Sequence, residues 1–158
     1  MTAPKKTLRL AMICSGNICR SPLAHVLAQR IFPEHGIPVA VISAGTLHIN
    51  GSPAAAEAIA AAAEIGLSLT SHRSQGAQPS LLRFADHIVV MEEHHAKKLL
   101  QRAPDLAPRI VRLWQHYDGP LGPLTGISDP VGKNLDAFRA CREVLEIALE
   151  RWAASLQG

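Results

Sequence analysis

Residues Leu8 to Pro22 read LRLAMICSGNICRSP. The stretch opens on a short apolar run, Leu8 to Ile13, interrupted only by Arg9, and that run predicts a buried strand. It closes on Ser21-Pro22, where a proline in the first turn suits the start of an amphipathic helix over Ser21 to Ile31. The residues between, Cys14 to Arg20, must then form a loop running from a strand end to a helix start. Strand, loop and helix in immediate succession are the repeating step of an alternating α/β chain.

Working outward, the alternation continues. Val39 to Ile42 reads as a second strand, and Gly51 to Ile65 as an alanine-rich helix opened by Ser52-Pro53 and closed by Gly66. His87 to Met91 is a third apolar run, followed by a helix over Glu92 to Gln101, and Ile110 to Leu113 is a fourth strand. A loop rich in Gly, Pro and Asp covers Gln115 to Gly132, and a long helix over Asn134 to Ala154 follows. This pattern predicts one α/β domain over residues 1–158, with an open four-stranded parallel sheet, helices on both faces, and a flexible polar tail at residues 1–6. Ligands of such sheets bind beyond the carboxyl ends of the strands, which directs attention to the loops after Ile13, Ile42, Met91 and Leu113.

Composition narrows the function. The 158 residues are 47% hydrophobic and 18% charged, as in globular rather than disordered chains. No apolar run is long enough to span a bilayer, and Arg9 breaks the stretch that otherwise resembles a signal peptide. A net charge of +3 suits a small anionic substrate, whereas 4% aromatic residues leave few platforms for stacking nucleic-acid bases. Three cysteines, at 14, 19 and 141, cannot make a disulfide framework, so a reducing, cytoplasmic setting is expected.

The loop after the first strand carries the chemistry. Free N–H groups at a helix start, with the dipole behind them, attract an anion. Gly16 and Asn17 tolerate the left-handed backbone that a nest of amides requires, and Arg20 adds a planar cation that grips two phosphate oxygens. Cys14 stands at the base of this cradle, where a thiolate is favoured, and the Ser21 hydroxyl can donate to it. A cysteine after a strand is most often a small buried apolar residue, and Cys-x5-Arg spacing is common by chance. The nine-residue string CSGNICRSP at a strand–loop–helix junction departs from both expectations. Cys14 and Cys19 lack partners at zinc-site spacing, and adjacent His94 and His95 are expected to diverge on a solvated helix surface, so neither a metal nor another cofactor is expected.

CSGNICRSP resembles the phosphate-binding loop of the low-molecular-weight protein tyrosine phosphatases. The likeness continues through ISAGT (Ile42 to Thr46), SHRSQ (Ser71 to Gln75), ADHIVVMEE (Ala85 to Glu93) and SDP (Ser128 to Pro130). The resemblance implies that family's fold and a metal-independent hydrolysis of phosphate monoesters through a phosphocysteine. It casts Cys14 as nucleophile, Arg20 as the holder of the transferring group and Asp129 as general acid, with Asp118 as the alternative acid. It assigns Ser15, Gly16, Asn17, Ile18, Cys19 and Ser21 to the phosphate loop, and Asn17, Ser43 and His72 to a supporting hydrogen-bond network. In related enzymes the pair matching Cys14 and Cys19 closes to a disulfide under peroxide; the alternative is that Cys19 only packs beneath the loop, as Cys141 does in the last helix.

Departures from the family concern the pocket. Val131 and Gly132 follow the Asp-Pro pair where phosphotyrosine enzymes carry aromatic residues, and His48, with Ile49 beside it, stands at the other aromatic wall. Glu92 replaces the usual Asp. Ile18 matches the tyrosine-specific members, whereas phosphoarginine-specific relatives carry threonine there. The expected substrate is therefore a phosphotyrosine protein or small aryl phosphate, and the expected state a monomer or weak homodimer without nucleic-acid partners. Other readings are a phosphoarginine or small-phosphoester phosphatase, a catalytically silent phosphate-binding or redox-sensing module, and a thiol arsenate reductase. The last needs further cysteines near positions 80 to 90, and Ser80 to Val90 has none.

Overall fold

The computed structural model describes residues 5–157. Four strands, β1 (Leu8–Cys14), β2 (Val39–Gly45), β3 (His87–Val90) and β4 (Ile110–Arg112), form one parallel sheet in the order β2-β1-β3-β4. β1 pairs from Leu8 opposite Val39 to Cys14 opposite Gly45 on one side, and from Leu10 opposite His87 to Ile13 opposite Val90 on the other. A strand flanked on both sides and covered on both faces needs an unbroken apolar run. Leu10, Ala11, Met12 and Ile13 supply it, all at 0% exposure.

The helices are α1 (Arg20–Glu34), α2 (Ala56–Ala63), α3 (Pro79–Leu82), α4 (Glu93–Arg102) and α5 (Leu135–Ser155). The chain steps from β1 outward to β2, and from β3 outward to β4 in the opposite direction. Right-handed crossovers then put α1 and α4 on opposite faces of the sheet. α1 packs on β1 and β2 and against α5, burying Leu23, Leu27, Ile31 and Phe32 against Phe138, Leu145, Leu149 and Trp152. Because the chain leaves β1 and β3 toward opposite faces, a crevice opens beyond their carboxyl ends. Cys14 closes β1 at that crevice.

The expected order of strands and helices is the observed one, but several ends move. β1 and β2 run on to Cys14 and Gly45 rather than stopping at Ile13 and Ile42. The alanine-rich helix is Ala56–Ala63, not Gly51 to Ile65. Ser52-Pro53 does not open it, because its backbone is taken by a distant segment: Gly51 N donates to Ser74 O at 2.8 Å and Ser74 N to Ser52 O at 2.7 Å. α1 starts at Arg20 and continues through Pro33 to Glu34. A 3-10 turn over Leu113–His116 takes the last residue expected in β4 and the first two of the long loop, while α3 is an additional turn. α5 begins after Asn134, whose Oδ1 accepts from Ala137 N at 3.1 Å, a capping contact that fixes the helix start. Of the tail expected at residues 1–6, residues 1–4 lie outside the described residues, and Lys5 Nζ donates to Gly36 O at 3.1 Å. Among the described residues, no helix is long and apolar enough to cross a membrane.

Trp152 ties the end of α5 to this core. Its ring meets Phe32 edge-on at 5.4 Å and 74°, and His87 at 5.5 Å. Trp152→Ala should therefore cost about 3–5 kcal/mol of unfolding free energy, read from denaturant titration with an unchanged slope. A loss below about 1 kcal/mol would remove α5's last turns from the cooperative core.

Candidate active site

Cys14, 2% exposed, sits where β1 gives way to a tight loop before α1. Its Sγ lies 2.9 Å from Ser21 Oγ and 3.4 Å from Ser21 N. Asn17 Nδ2 donates to the same hydroxyl oxygen at 2.7 Å. A hydroxyl that accepts from an amide keeps its own hydrogen for another acceptor, so Ser21 donates to the sulfur. The sulfur thus faces a hydroxyl and a main-chain N–H at the positive end of α1, a setting made for a sulfur anion.

Asn17 sets the shape of the loop. It is fully buried with φ at +58°, in the left-handed region that asparagine tolerates better than most residues. Its Oδ1 accepts from Gln75 N at 3.0 Å and its carbonyl from His72 Nε2 at 2.7 Å. The His72 proton therefore sits on Nε2, and burial pushes the ring's pKa down, which keeps it neutral. The expected network holds for Asn17 and His72, but Ser43 makes no hydrogen bond to either. Its carbonyl accepts from Gln75 Nε2 at 3.0 Å, and its hydroxyl lies 3.3 Å from His25 Nδ1, so Gln75 joins Ser43 to the loop. Gly45 permits the close approach of β2: a Cβ there would lie 2.5 Å from Ser15 O and 3.0 Å from Asn17 N.

Arg20 is 1% exposed, an expensive position for a cation unless it is paired. Nη1 donates to Glu92 Oε2 and to Ile127 O, each at 2.7 Å, and Nη2 lies 3.3 Å from Asp129 Oδ2. Nε is buried with no protein partner among the described residues. Burial alone raises the Glu92 carboxyl, but hydrogen bonds from Arg20 and His94 outweigh it and hold its pKa below the ordinary carboxylate value. Asp129 also accepts from Val131 N at 3.1 Å. Asp118 is elsewhere, exposed and paired with Arg151 at 2.9 Å.

A cleft of about 190 Å³ unites Cys14, Ser15, Gly16, Ile18, Cys19 and Asp129. Its walls are Leu47, Ile49 and Val131. Of the three pocket residues expected from the sequence, Ile49 and Val131 are brought to this cleft, while His48, with φ at +55°, is turned to a different one. Leu47 takes the place expected for His48, and the apolar alternation Leu47, Ile49 was the available signal for it. Cys19 is buried, and desolvation followed by the charge of Asp129 pushes its thiol up to about 12. All three cysteines are free, and Cys141 is buried in α5.

Of the two histidines expected on a solvated surface, His94 is exposed but His95 is not, and their rings lie 4.2 Å apart rather than diverging. His95 is fully buried, and its Nδ1 accepts from Glu92 N at 3.0 Å as the third residue of α4 folds back on the helix start. With Nδ1 accepting, Nε2 carries the proton and donates to Ser15 Oγ at 3.0 Å. His94 Nε2 lies 3.0 Å from Glu92 Oε2. Glu92, His94 and His95 thus bring ligand-type atoms within 4.8 Å of one another, but Glu92 is committed to Arg20 and His95 to Ser15. Arg20 supplies the local positive charge that a metal ion otherwise would.

Residues 9–158 match the family described as low molecular weight phosphotyrosine protein phosphatase. The chain is 36% identical over 149 residues to the low molecular weight protein-tyrosine-phosphatase Wzb of Escherichia coli K12, covering 94% of this chain and 95% of that one. It is 32% identical over 150 residues to a protein-arginine-phosphatase of Geobacillus stearothermophilus, covering 94% and 96%. The structure of Vibrio vulnificus Wzb in complex with benzylphosphonate superposes with a TM-score of 0.83 at 29% identity, covering 95% of this chain and 99% of that one. The family match over residues 9–158, with a relative 36% identical over 94% of the chain, therefore places this chain in the low molecular weight phosphotyrosine protein phosphatase family.

Proposed function

We propose that the chain hydrolyses phosphotyrosine in proteins through a phosphocysteine on Cys14, without a metal. The observation that carries this reading is the Cys14 sulfur facing the Ser21 donors, beside a buried Arg20 whose Nε–H has no protein acceptor. An unpaired buried donor costs about 1–3 kcal/mol, and a phosphoryl oxygen relieves that cost.

In the first step the Cys14 thiolate attacks phosphorus and the phosphorus–oxygen ester bond breaks. Loop amides and Arg20 hold the charge that spreads over the three equatorial oxygens. A phosphoryl group competes with Asp129 for Arg20 Nη2, and the released carboxylate takes up a proton from solvent and gives it to the leaving oxygen as the ester bond breaks. In the second step Asp129 takes a proton from water, water attacks phosphorus, and the sulfur–phosphorus bond breaks. The Ser21 hydroxyl stabilises the departing thiolate, and inorganic phosphate leaves. Neutral His72 and His95 hold Asn17 and Ser15, and with them the loop, in place throughout.

The cleft supports phosphotyrosine over phosphoarginine. Its walls, Leu47, Ile49 and Val131, are aliphatic and suit the face of a ring, although they lack the stacking of an aromatic pair. A phosphoguanidinium wants carboxylates, and among the described residues the cleft is lined by a single acid, Asp129, which the reaction itself uses.

Three expectations test this reading. Cys14→Ser should abolish turnover of an aryl phosphate at about pH 5.5 with chelator present; surviving activity would exclude the phosphocysteine. Asp129→Asn should lower kcat by about 10²–10⁴-fold for phosphotyrosine and less for a nitrophenyl ester, whose leaving group needs little protonation. Equal losses for the two esters would remove Asp129 from the acid role.

The third concerns pH and stability. Burial, with Arg20 adding to it, pushes His95 from 6.5 to about 3, and burial pushes His25 to about 4. The folded state then binds fewer protons than the unfolded state between those values and 6.5, so acidification across that window destabilises it. The thermal midpoint should fall between pH 7 and 4, and His95→Gln should flatten that fall. An unchanged pH dependence in the variant would mean that His95 charges freely in the folded protein.

A further inference from the structure

A second cleft, also of about 190 Å³, lies on the far side of the Leu47–Ile49 wall. Thr46, His48, Lys98, Gln101 and Arg102 line it. The wall between the two clefts is anchored on the phosphate loop itself: Thr46 N donates to Cys14 O and Leu47 N to Ser15 O, each at 3.0 Å. With His48 in the left-handed region, residues 47 and 49 face the catalytic cleft while residue 48 faces the second one. Gly76 leaves room for the His48 ring, since a Cβ there would collide with Nδ1.

The second cleft has more hydrogen-bond donors than acceptors. Arg102 Nη1 lies 3.0 Å from His48 Nε2, Arg102 Nη2 donates to Gln78 Oε1 at 3.1 Å, and Gln78 Nε2 lies 3.3 Å from His48 Nδ1. A neutral imidazole has one acceptor nitrogen, so it cannot accept from both Arg102 and Gln78. Reversing the Gln78 amide satisfies the ring but turns an N–H₂ toward the guanidinium. In every arrangement one donor is left over. Lys98 and Arg102 have no carboxylate within 4.0 Å among the described residues. The Thr46 hydroxyl, shielded from solvent, has no hydrogen-bond partner among the described residues. Two cations, a surplus N–H and an unpaired hydroxyl ask for a ligand that only accepts, and an anion does so.

We propose that this cleft is an accessory anion subsite that holds a second negative group of the substrate, a carboxylate or a further phosphate flanking the phosphotyrosine that occupies the catalytic cleft. The proposal rests on the phosphotyrosine-protein reading above. A free aryl phosphate fills only the catalytic cleft and does not reach Lys98 or Arg102, so the subsite selects among phosphoproteins without changing the chemistry. The contribution is electrostatic and shallow, because Lys98 and Arg102 are both exposed, and it weakens with added salt.

The test compares kcat/KM for phosphotyrosyl peptides that differ only in their flanks, which are neutral amides, carboxylates or a second phosphorylated residue. The native chain and the Lys98→Gln, Arg102→Gln double variant are each assayed at low and high salt, with a nitrophenyl phosphate as control. The native chain should prefer one of the anionic peptides over the neutral one by about tenfold at low salt, and the favoured peptide names the anion. The double variant should lose that preference while hydrolysing the nitrophenyl ester within about twofold of the native rate, which also shows that it folds. A native chain that treats all peptides alike, or a preference that survives in the double variant, would overturn the subsite and leave the phosphatase reading intact. Turnover of the nitrophenyl ester with no turnover of any peptide would overturn both the subsite and the phosphoprotein reading.

Discussion

The site depends on one buried side chain that makes no contact with phosphorus chemistry itself. Asn17 uses three polar groups to hold a loop in a shape that the loop would not keep alone. Its amide nitrogen fixes Ser21, its amide oxygen holds Gln75 N, and its carbonyl takes the His72 proton. A left-handed residue outside glycine carries a conformational cost of order 1 kcal/mol, and it persists where surrounding bonds over-determine it. Two of those bonds, to Gln75 and His72, come from a segment more than fifty residues away, so the loop is held by the fold and not by the local string alone.

Charge is arranged by the same logic. A guanidinium at 1% exposure cannot stand unpaired, and Glu92, Asp129 and the Ile127 carbonyl share the task of compensating it. The sharing is unequal in a useful way. Glu92 and Ile127 hold Nη1 at 2.7 Å and fix the plane of the guanidinium, while Asp129 touches Nη2 more loosely at 3.3 Å. Both carboxylates are about one-third exposed, so distance to Arg20, and not exposure, is what sets them apart. His95 extends this frame to the first loop residue, joining the start of α4 to Ser15 through a neutral ring.

Much of this was legible in the sequence because it rests on local rules. An apolar run buried on both faces, a polar loop and a proline-started helix specify strand, cradle and α1 with little help from elsewhere. The residues that line up on the cradle, Cys14, Arg20, Ser21 and Asn17, are close in the chain, and their type reports their chemistry directly. Asp129 became legible through its likeness to a family motif, since an Asp-Pro pair alone is an ordinary turn. Gln75 and His25 were not legible as site residues. Each has a type that is common on any surface, and only the fold makes it adjacent to the loop.

The sequence by itself determined the alternating α/β order and the loop that brings Cys14, Asn17 and Ser21 together at the start of α1, because periodicity, helix-start chemistry and residue type act over a few neighbouring positions. Tertiary structure alone decided which way His48 points, that His95 is buried rather than solvated, and that Ser52-Pro53 pairs with Ser74 instead of starting a helix. These outcomes depend on contacts between residues from about twenty to eighty positions apart, such as Ser52 with Ser74, His48 with Arg102 and Ser15 with His95. A buried polar group takes whichever partner the packed sheet brings within reach, and sequence spacing does not record that distance.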